Sequence, residues 1–457
     1  MKKFLFRTQL TLLVVLSVLT NYSSLIRAQE NMALTLENRD IERFHQQSER
    51  MAQGNVDLLM IGDSITHGWE GAGKDVWNKY YGNRNAMNFG ISGDRTGHVL
   101  WRLANSPLDK ISPKMAVVMI GTNNIGHGSS NASQTVQGIQ KIIDVLKEKY
   151  PAMKILLLEV FPRDNKPEGK FRQQVNEINA GLGKIYANKA VENVQLYSLA
   201  DLFLTEDGTL PPELMPDFLH PNAAGYEIWA KAVEPMIAEG LGEEPNECKA
   251  IPRNDDWWQN RFKEKNEILK NGNIDLLMIG DSITHGWEGA GKDVWNKYYG
   301  DKKAVNLGIG GDQTHHVIWR LENYDFSNVN PKLAVLLIGV NNVASGSTGN
   351  NTAYGNRKIV EILHEKFPEL KIIVLNVFPW GNKDELAKHE KVAGVNELLP
   401  YYVRDLDYVT LVNINDIFLN ENGELPADIM PDFLHPNAVG YEKWGAALDQ
   451  MITEKLQ

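Results

Sequence analysis

Two serines, two aspartates and two histidines in this chain have residue types and spacing suited to nucleophilic chemistry. Ser64 follows the run Leu-Met-Ile-Gly-Asp, and Asp217 and His220 lie far downstream within Asp-Phe-Leu-His. A serine hydroxyl is a weak nucleophile until a base takes its proton, and a neutral imidazole does so best when a carboxylate fixes its tautomer. The three-residue spacing lets one loop carry both partners. Ser64 would attack an acyl carbon, His220 would take its proton and return it to the leaving alcohol, and Asp217 would orient the imidazole and stabilise the imidazolium. Ser282, Asp432 and His435 offer the same set a second time.

A tetrahedral oxyanion also needs fixed donors. Gly93, within GISGD, could give an unobstructed backbone N–H, Asn123, within GTNN, a side-chain amide N–H, and Ser64 its own backbone N–H. Gly311 and Asn341 are the counterparts. The second copy reads GVNN, with Val340 in place of Thr122, and the lost hydroxyl is expected to loosen that loop while leaving a complete constellation.

These residues sit in a duplicated chain. The segment 57–82 recurs letter for letter at 275–300, and the match continues through NFGISGD and NLGIGGD, VLWRL and VIWRL, and MPDFLHPNA at Met215 and Met430. Each copy is long enough to fold alone. In the first, the apolar runs DLLMIG, AMNFG, MAVVMIG, KILLLEVFP and VQLYSL alternate with amphipathic stretches such as TVQGIQKIIDVLKEKY. Continuous apolar runs fit strands covered on both faces, so the expected fold is α/β: two tandem flavodoxin-like three-layer α/β/α domains with parallel five-stranded sheets. Every polar motif named above then falls at the carboxyl edge of a sheet, where such folds bind ligands.

Gly-Asp-Ser, then Gly, then Gly-Thr-Asn-Asn, then Asp-x-x-His resemble the four blocks of the SGNH or GDSL hydrolase family, over nearly all of both copies. Within it, NFGISGD, HVLWRL, GTNN and DFLH are similar to the platelet-activating factor acetylhydrolase group and its bacterial relatives. The resemblance implies Ser64, Gly93, Asn123, Asp217 and His220 as one site and Ser282, Gly311, Asn341, Asp432 and His435 as another. It also implies an esterase without metal or cofactor, often acting on acetyl groups, including those of polysaccharides. A lipase, lysophospholipase or thioesterase uses the same triad. From another class, a carbohydrate-binding module with one silent copy would exploit duplication for avidity.

The formal charge of −11 has no concentrated basic stripe, so nucleic acid is not an expected partner. Lys2, Lys3 and Arg7 precede an apolar run at 10–19 that is shorter than the roughly 20 residues a membrane span requires, and residues 1–28 read as a signal peptide, implying secretion or a periplasmic location. The expected domains are 29–240 and 254–457, joined by a Gly-, Pro- and charge-rich linker at 241–253 in which Cys248 is incidental. Oligomeric state is not legible.

Several motifs have plainer readings. A lone Asp-x-x-His more often caps a helix than catalyses, and the ordered set after successive strands is what favours the triad. The segment 68–75 approaches a phosphate-binding loop, but Asp75 and Asp293 stand where a hydroxyl is required, so its glycines read as a flexible rim. His67 and His285 read as structural or loop residues, and His98 and His316 as packing or capping residues. Trp257, Trp258 and Trp380 lack a tryptophan counterpart in the other copy; the first two either stack on sugar rings or dock the second domain.

Overall fold

The computed structural model describes residues 31–187 and 190–457, and the chain divides into two compact units, Met1–Gly242 and Glu243–Gln457. The segment read as a signal peptide lies outside the described residues.

In the first unit the apolar runs form β1 (Leu58–Gly62), β2 (Ala86–Gly90), β3 (Met115–Met119), β4 (Lys154–Leu158) and β5 (Val194–Tyr197), all parallel, in the order β2-β1-β3-β4-β5. Every residue of β1 and β3 is buried, which explains why those runs are uniformly apolar rather than alternating. The helix Ala132–Lys149 shows how the covering layer is built. Asn131 and Gln134 form a reciprocal capping box at its start, and Val136, Ile139, Ile142, Ile143 and Leu146 form its buried stripe. Strand order reverses beside β1, and the register pairs Gly62 with both Gly90 and Met119. The three turns bearing Ser64, Gly93 and Asn123 therefore leave the sheet at one edge, at its topological switch point.

The second unit repeats this with β6 (Leu276–Gly280), β7 (Ala304–Asn306), β8 (Leu333–Leu337), β9 (Lys371–Leu375) and β10 (Val409–Val412), in the order β10-β9-β8-β6-β7. Read from its other edge, that is the same order. The flavodoxin-like, doubly wound expectation holds for both copies.

The stretch expected to be a linker behaves differently. The helix Ala223–Leu241 ends on Gly242 in a left-handed conformation (φ 73°), but Asn246–Cys248 then forms a 3-10 turn with Glu247 and Cys248 buried in the second unit. The Glu247 carbonyl accepts from Thr314 Oγ1 at 2.8 Å, as the Ala33 carbonyl accepts from Thr96 Oγ1 at 2.8 Å in the first. Cys248 is thus a packed residue, its thiol pushed up to about 12 chiefly by burial. The polar composition concealed this because the buried hydroxyl is satisfied by a main-chain carbonyl, which carries no side-chain signature.

A second-unit fragment beginning at residue 254 should consequently melt lower than one beginning at 243. Losing the buried thiol and this hydrogen bond should cost about 2 kcal/mol, or roughly 4–8 °C for a unit of this size; thermal unfolding of the two fragments measures it.

Candidate active site

The nucleophile turn is set by Asp63, which caps the short helix Ser64–His67 by accepting from the Ile65 N–H at 3.0 Å. Full burial pushes the Asp63 carboxyl up to about 7, with nearby Asp94 adding to the rise. Tyr226 steadies the same helix by donating to the Ile65 carbonyl at 2.6 Å. Ser64 thus stands at a helix N-terminus, where first-turn N–H groups have no intrahelical acceptor.

The structure brings all three predicted triad residues together across 156 positions of sequence. Ser64 Oγ lies 2.8 Å from His220 Nε2, and His220 Nδ1 lies 2.6 Å from Asp217 Oδ2. The turn holding the last two is specific. Asp217 Oδ1 accepts from the backbone N–H groups of Leu219 (3.1 Å) and His220 (2.7 Å), while Phe218 takes the left-handed conformation at φ 56°. Burial pushes the Asp217 carboxyl up, but its hydrogen bonds to His220 outweigh this and hold it below the usual carboxylate range. It therefore stays ionised and available to an imidazolium. In the second unit Ser282 Oγ to His435 Nε2 is 2.8 Å, His435 Nδ1 to Asp432 Oδ2 is 2.6 Å, and Phe433 has φ 55°.

The predicted oxyanion residues border the same turns. Gly93 and Gly311 adopt φ 80° and 76°, a left-handed conformation that glycine reaches without strain. Asn123 donates one amide hydrogen to the Asp94 carbonyl at 3.0 Å, and Asn341 does the same to Asp312 at 3.0 Å. Asn123 keeps a second amide hydrogen that a developing oxyanion could use, whereas Asn341 Nδ2 also donates to Asp281 Oδ2 at 3.3 Å, a contact the oxyanion would have to displace.

The residues that hold this arrangement were not singled out from sequence. Asp94 accepts from Arg102 Nε at 2.8 Å in an ion pair with both side chains fully buried, and Asp312 pairs with Arg320 in the same way. Asn124, beside the oxyanion asparagine, accepts from the Thr96 N–H at 3.0 Å and donates to the Thr96 hydroxyl at 2.9 Å. Their signal was present: Asp94, Arg102, Asn124 and Tyr226 are each identical in the second copy, as Asp312, Arg320, Asn342 and Tyr441.

A model of the GDSL-like lipase/acylhydrolase family matches residues 60–228 and again 278–443. The chain belongs to that family. It is a carboxylic ester hydrolase with two copies of the family domain. The rat platelet-activating factor acetylhydrolase IB subunit alpha2 is 34% identical over 203 residues, 44% of this chain and 86% of that protein. Among solved structures, a GDSL-like lipase from Bacteroides thetaiotaomicron aligns with 22% identity and a TM-score of 0.36, covering 43% of this chain and 97% of its own. An acetylxylan esterase from Geobacillus stearothermophilus aligns with 18% identity and a TM-score of 0.33, over 40% and 94%.

Other expectations need revision. Of the glycines of 68–75, Gly68 and Gly73 are packed rather than part of a flexible rim, while Gly71 is exposed. A Cβ on Gly68 would lie 2.1 Å from the Tyr226 hydroxyl, and one on Gly73 would lie 2.8 Å from both the Tyr226 and Trp69 rings. These glycines allow close packing of the nucleophile's support. His98 caps its helix as expected, its Nδ1 accepting from the Arg95 N–H at 3.1 Å, and His316 accepts from Gln313 N–H at 2.9 Å. His67 Nδ1 lies 2.9 Å from Ser92 Oγ, a contact for which the second unit has Gly310 instead of a hydroxyl.

The loop bearing Val340 is not loosened. Asn342 holds Thr314 through bonds of 3.0 and 3.0 Å, matching Asn124 on Thr96. A second exchange explains why. In the first unit Arg163 donates to the Thr122 carbonyl at 3.2 Å and to its hydroxyl at 3.4 Å; in the second, Trp380 stands at the matching place in VFPW and packs on the apolar cluster containing Val340. Where Thr122 and Arg163 are hydrogen-bonded, the second unit has Val340 within an apolar cluster and Trp380 packed against that cluster. Thr122→Val and Arg163→Trp should therefore couple in a double-mutant cycle, the double variant being more stable than the two single losses predict by about 1 kcal/mol in denaturant unfolding.

The histidine caps also set a pH dependence. Burial, followed by nearby arginine charge, pulls His98 down to about 4, and burial, followed by His315 and Arg253, pulls His316 down to about 3. A histidine depressed in the folded state stabilises fully above its unfolded value of about 6.5, and that contribution is lost as pH falls towards the folded value. The raised carboxyls of Asp63 and Asp281 act in the opposite direction, weakening the fold as pH rises from about 4 to 7. His98→Asn, which can still accept but does not titrate, should flatten the fall in Tm between pH 6.5 and 4 relative to the parent.

Proposed function

We propose that each unit is a serine acetylesterase working through an acyl-enzyme, and that the chain is exported to remove O-acetyl groups from carbohydrate. The continuous hydrogen-bonded path from Ser64 through His220 to Asp217, repeated from Ser282 through His435 to Asp432, supports the acyl-enzyme part of this reading. His220 Nε2 takes the serine proton as Oγ bonds to the acyl carbon. The resulting oxyanion meets the Gly93 and Ser64 backbone N–H groups and the free amide hydrogen of Asn123. Collapse expels the alcohol, which leaves with the proton from His220, and water, activated by the same imidazole, releases acetate and restores Ser64. Asp217, held ionised, keeps the imidazole aligned throughout.

The acetyl preference is supported by relatives named acetylhydrolases at 34% identity. Export is supported by the basic and apolar N-terminus, and a carbohydrate acceptor by the family resemblance together with export.

Acetate release and p-nitrophenyl acetate turnover should fall partly in Ser64→Ala and in Ser282→Ala, and by more than about a thousandfold in the double variant. Undiminished turnover in the double variant would refute both triads. Asn123→Ala in the Ser282→Ala background should lower kcat by about a hundredfold to a thousandfold with the fold intact by circular dichroism. A steep fall from acetyl to butyryl esters is expected; equal rates would point to a lipase or thioesterase.

A further inference from the structure

The two nucleophile segments are identical in sequence, yet the helices packed beside them differ at their N-terminal ends. The helix before β1 is Glu42–Ala52, and the one before β6 is Asp256–Asn271. They share an anchor: Arg43 Nε donates to the Gly90 carbonyl at 2.8 Å, and Arg261 Nε to the Gly308 carbonyl at 2.8 Å. Arg43 is the second residue of its helix, whereas Arg261 lies four residues deeper in its own, so the second unit carries about one additional turn at this end. That turn bears Trp257 and Trp258.

The additional turn redistributes the work of one arginine. In the first unit Arg39 donates to Asp94 Oδ1 at 2.7 Å and to the Ser92 carbonyl at 2.5 Å. In the second, buried Trp258 donates to Asp312 Oδ1 at 2.6 Å, and Arg253 donates to the Gly310 carbonyl at 3.1 Å. Trp257 is thereby left without a supporting role. It is 48% exposed, unusual for so large an apolar ring, and Arg253 lies over it at 5.2 Å from the ring centroid, which restrains its orientation.

Trp257 and the nucleophile share one neighbour, Gly310. A carbon at the Cβ position of Gly310 would lie 3.7 Å from Trp257 Cη2, 3.8 Å from Ser282 Cβ and 3.8 Å from His285 Nδ1. Indole edge and serine therefore face one small gap. In the first unit the corresponding residue is Ser92, whose side chain fills that place and bonds His67.

We propose that Trp257 is the specificity-determining platform of the second site, on which the flat apolar face of a ring in the alcohol half of the ester stacks while Ser282 is acylated. This rests on Ser282 being a nucleophile. A pyranose presents its C–H face and an aryl alcohol its π face, and both match an exposed indole. Among the described residues of the first unit, Arg39 stands four residues before Arg43 where Trp257 stands four before Arg261, so the duplicated domains would differ in preference for the alcohol half of the ester rather than in chemistry.

The experiment uses the full chain with Ser64→Ala, so that only the second site turns over. The readout is kcat/KM for an O-acetylated methyl xyloside and for phenyl acetate, each divided by that for ethyl acetate. Trp257→Ala should lower at least one ratio about fivefold to tenfold, mainly through KM, and Trp257→Phe should retain most of it. A drop confined to the xyloside assigns a sugar ring, and one confined to phenyl acetate an aryl group. Gly310→Ser should also lower the ratio, since a side chain fits there in ordinary contact yet occupies the gap. In the Ser282→Ala background none of these changes should alter the ratios. Unchanged ratios with Ser64→Ala, or an equal drop with Ser282→Ala, overturn the proposal. Should Ser64→Ala abolish all turnover, the second triad reading fails by itself. Calorimetric binding of the acetylated xyloside and of phenyl acetate to the Ser64→Ala/Ser282→Ala chain then decides: weakening of either by Trp257→Ala upholds the platform, and unchanged affinity for both overturns it.

Discussion

The candidate site depends on one buried ion pair. Arg102 donates to Asp94 Oδ2 at 2.8 Å, to the Phe89 carbonyl at 3.0 Å and to the Gly62 carbonyl at 3.4 Å, and the Asp94 carbonyl in turn receives Asn123 Nδ2. One guanidinium thus links the end of β1, where the nucleophile turn begins, to the end of β2 and to the oxyanion loop. A pair with no solvent exposure at either side chain is an expensive device, because two charges must be desolvated and losing one partner strands the other. Its value here is geometric. Three loops leaving three different strands acquire a common frame, and the same frame stands in the second unit through Arg320 and Asp312.

Once the loops share that frame, the triad needs little more than a local turn. Asp217 organises the backbone N–H groups of Leu219 and His220 with one oxygen and the imidazole with the other. The aspartate therefore fixes both where the histidine chain runs and how its ring points. The left-handed Phe218 is the strained residue in this turn, and its recurrence at Phe433 shows that the geometry is a property of the turn.

Duplication has preserved this machinery and changed what surrounds it. The 26-letter nucleophile block is unaltered, while Thr122 with Arg163 has become Val340 with Trp380, and Arg39 has been replaced by Arg253 and Trp258 acting separately. Each exchange keeps the loop in place by a different kind of contact. Tolerance of this sort is expected where a position is required to hold a carbonyl or fill a space, rather than to touch reacting atoms.

The sequence by itself determined the duplication, the strand order class and which ten residues are candidates for the two sites. Those depend on short-range features: apolar runs of strand length, glycine where φ is positive, and a serine, asparagine and histidine whose chemistry is legible from type and order. Only the tertiary structure decided that the polar stretch at 246–248 belongs to the second unit, that Gly68 and Gly73 accommodate Tyr226, and that Trp258 is buried while Trp257 is exposed. Residue type does not distinguish adjacent tryptophans. What separates them is a hydrogen bond to an aspartate 54 residues away, and long-range partners of that kind become visible only when the chain has closed on itself.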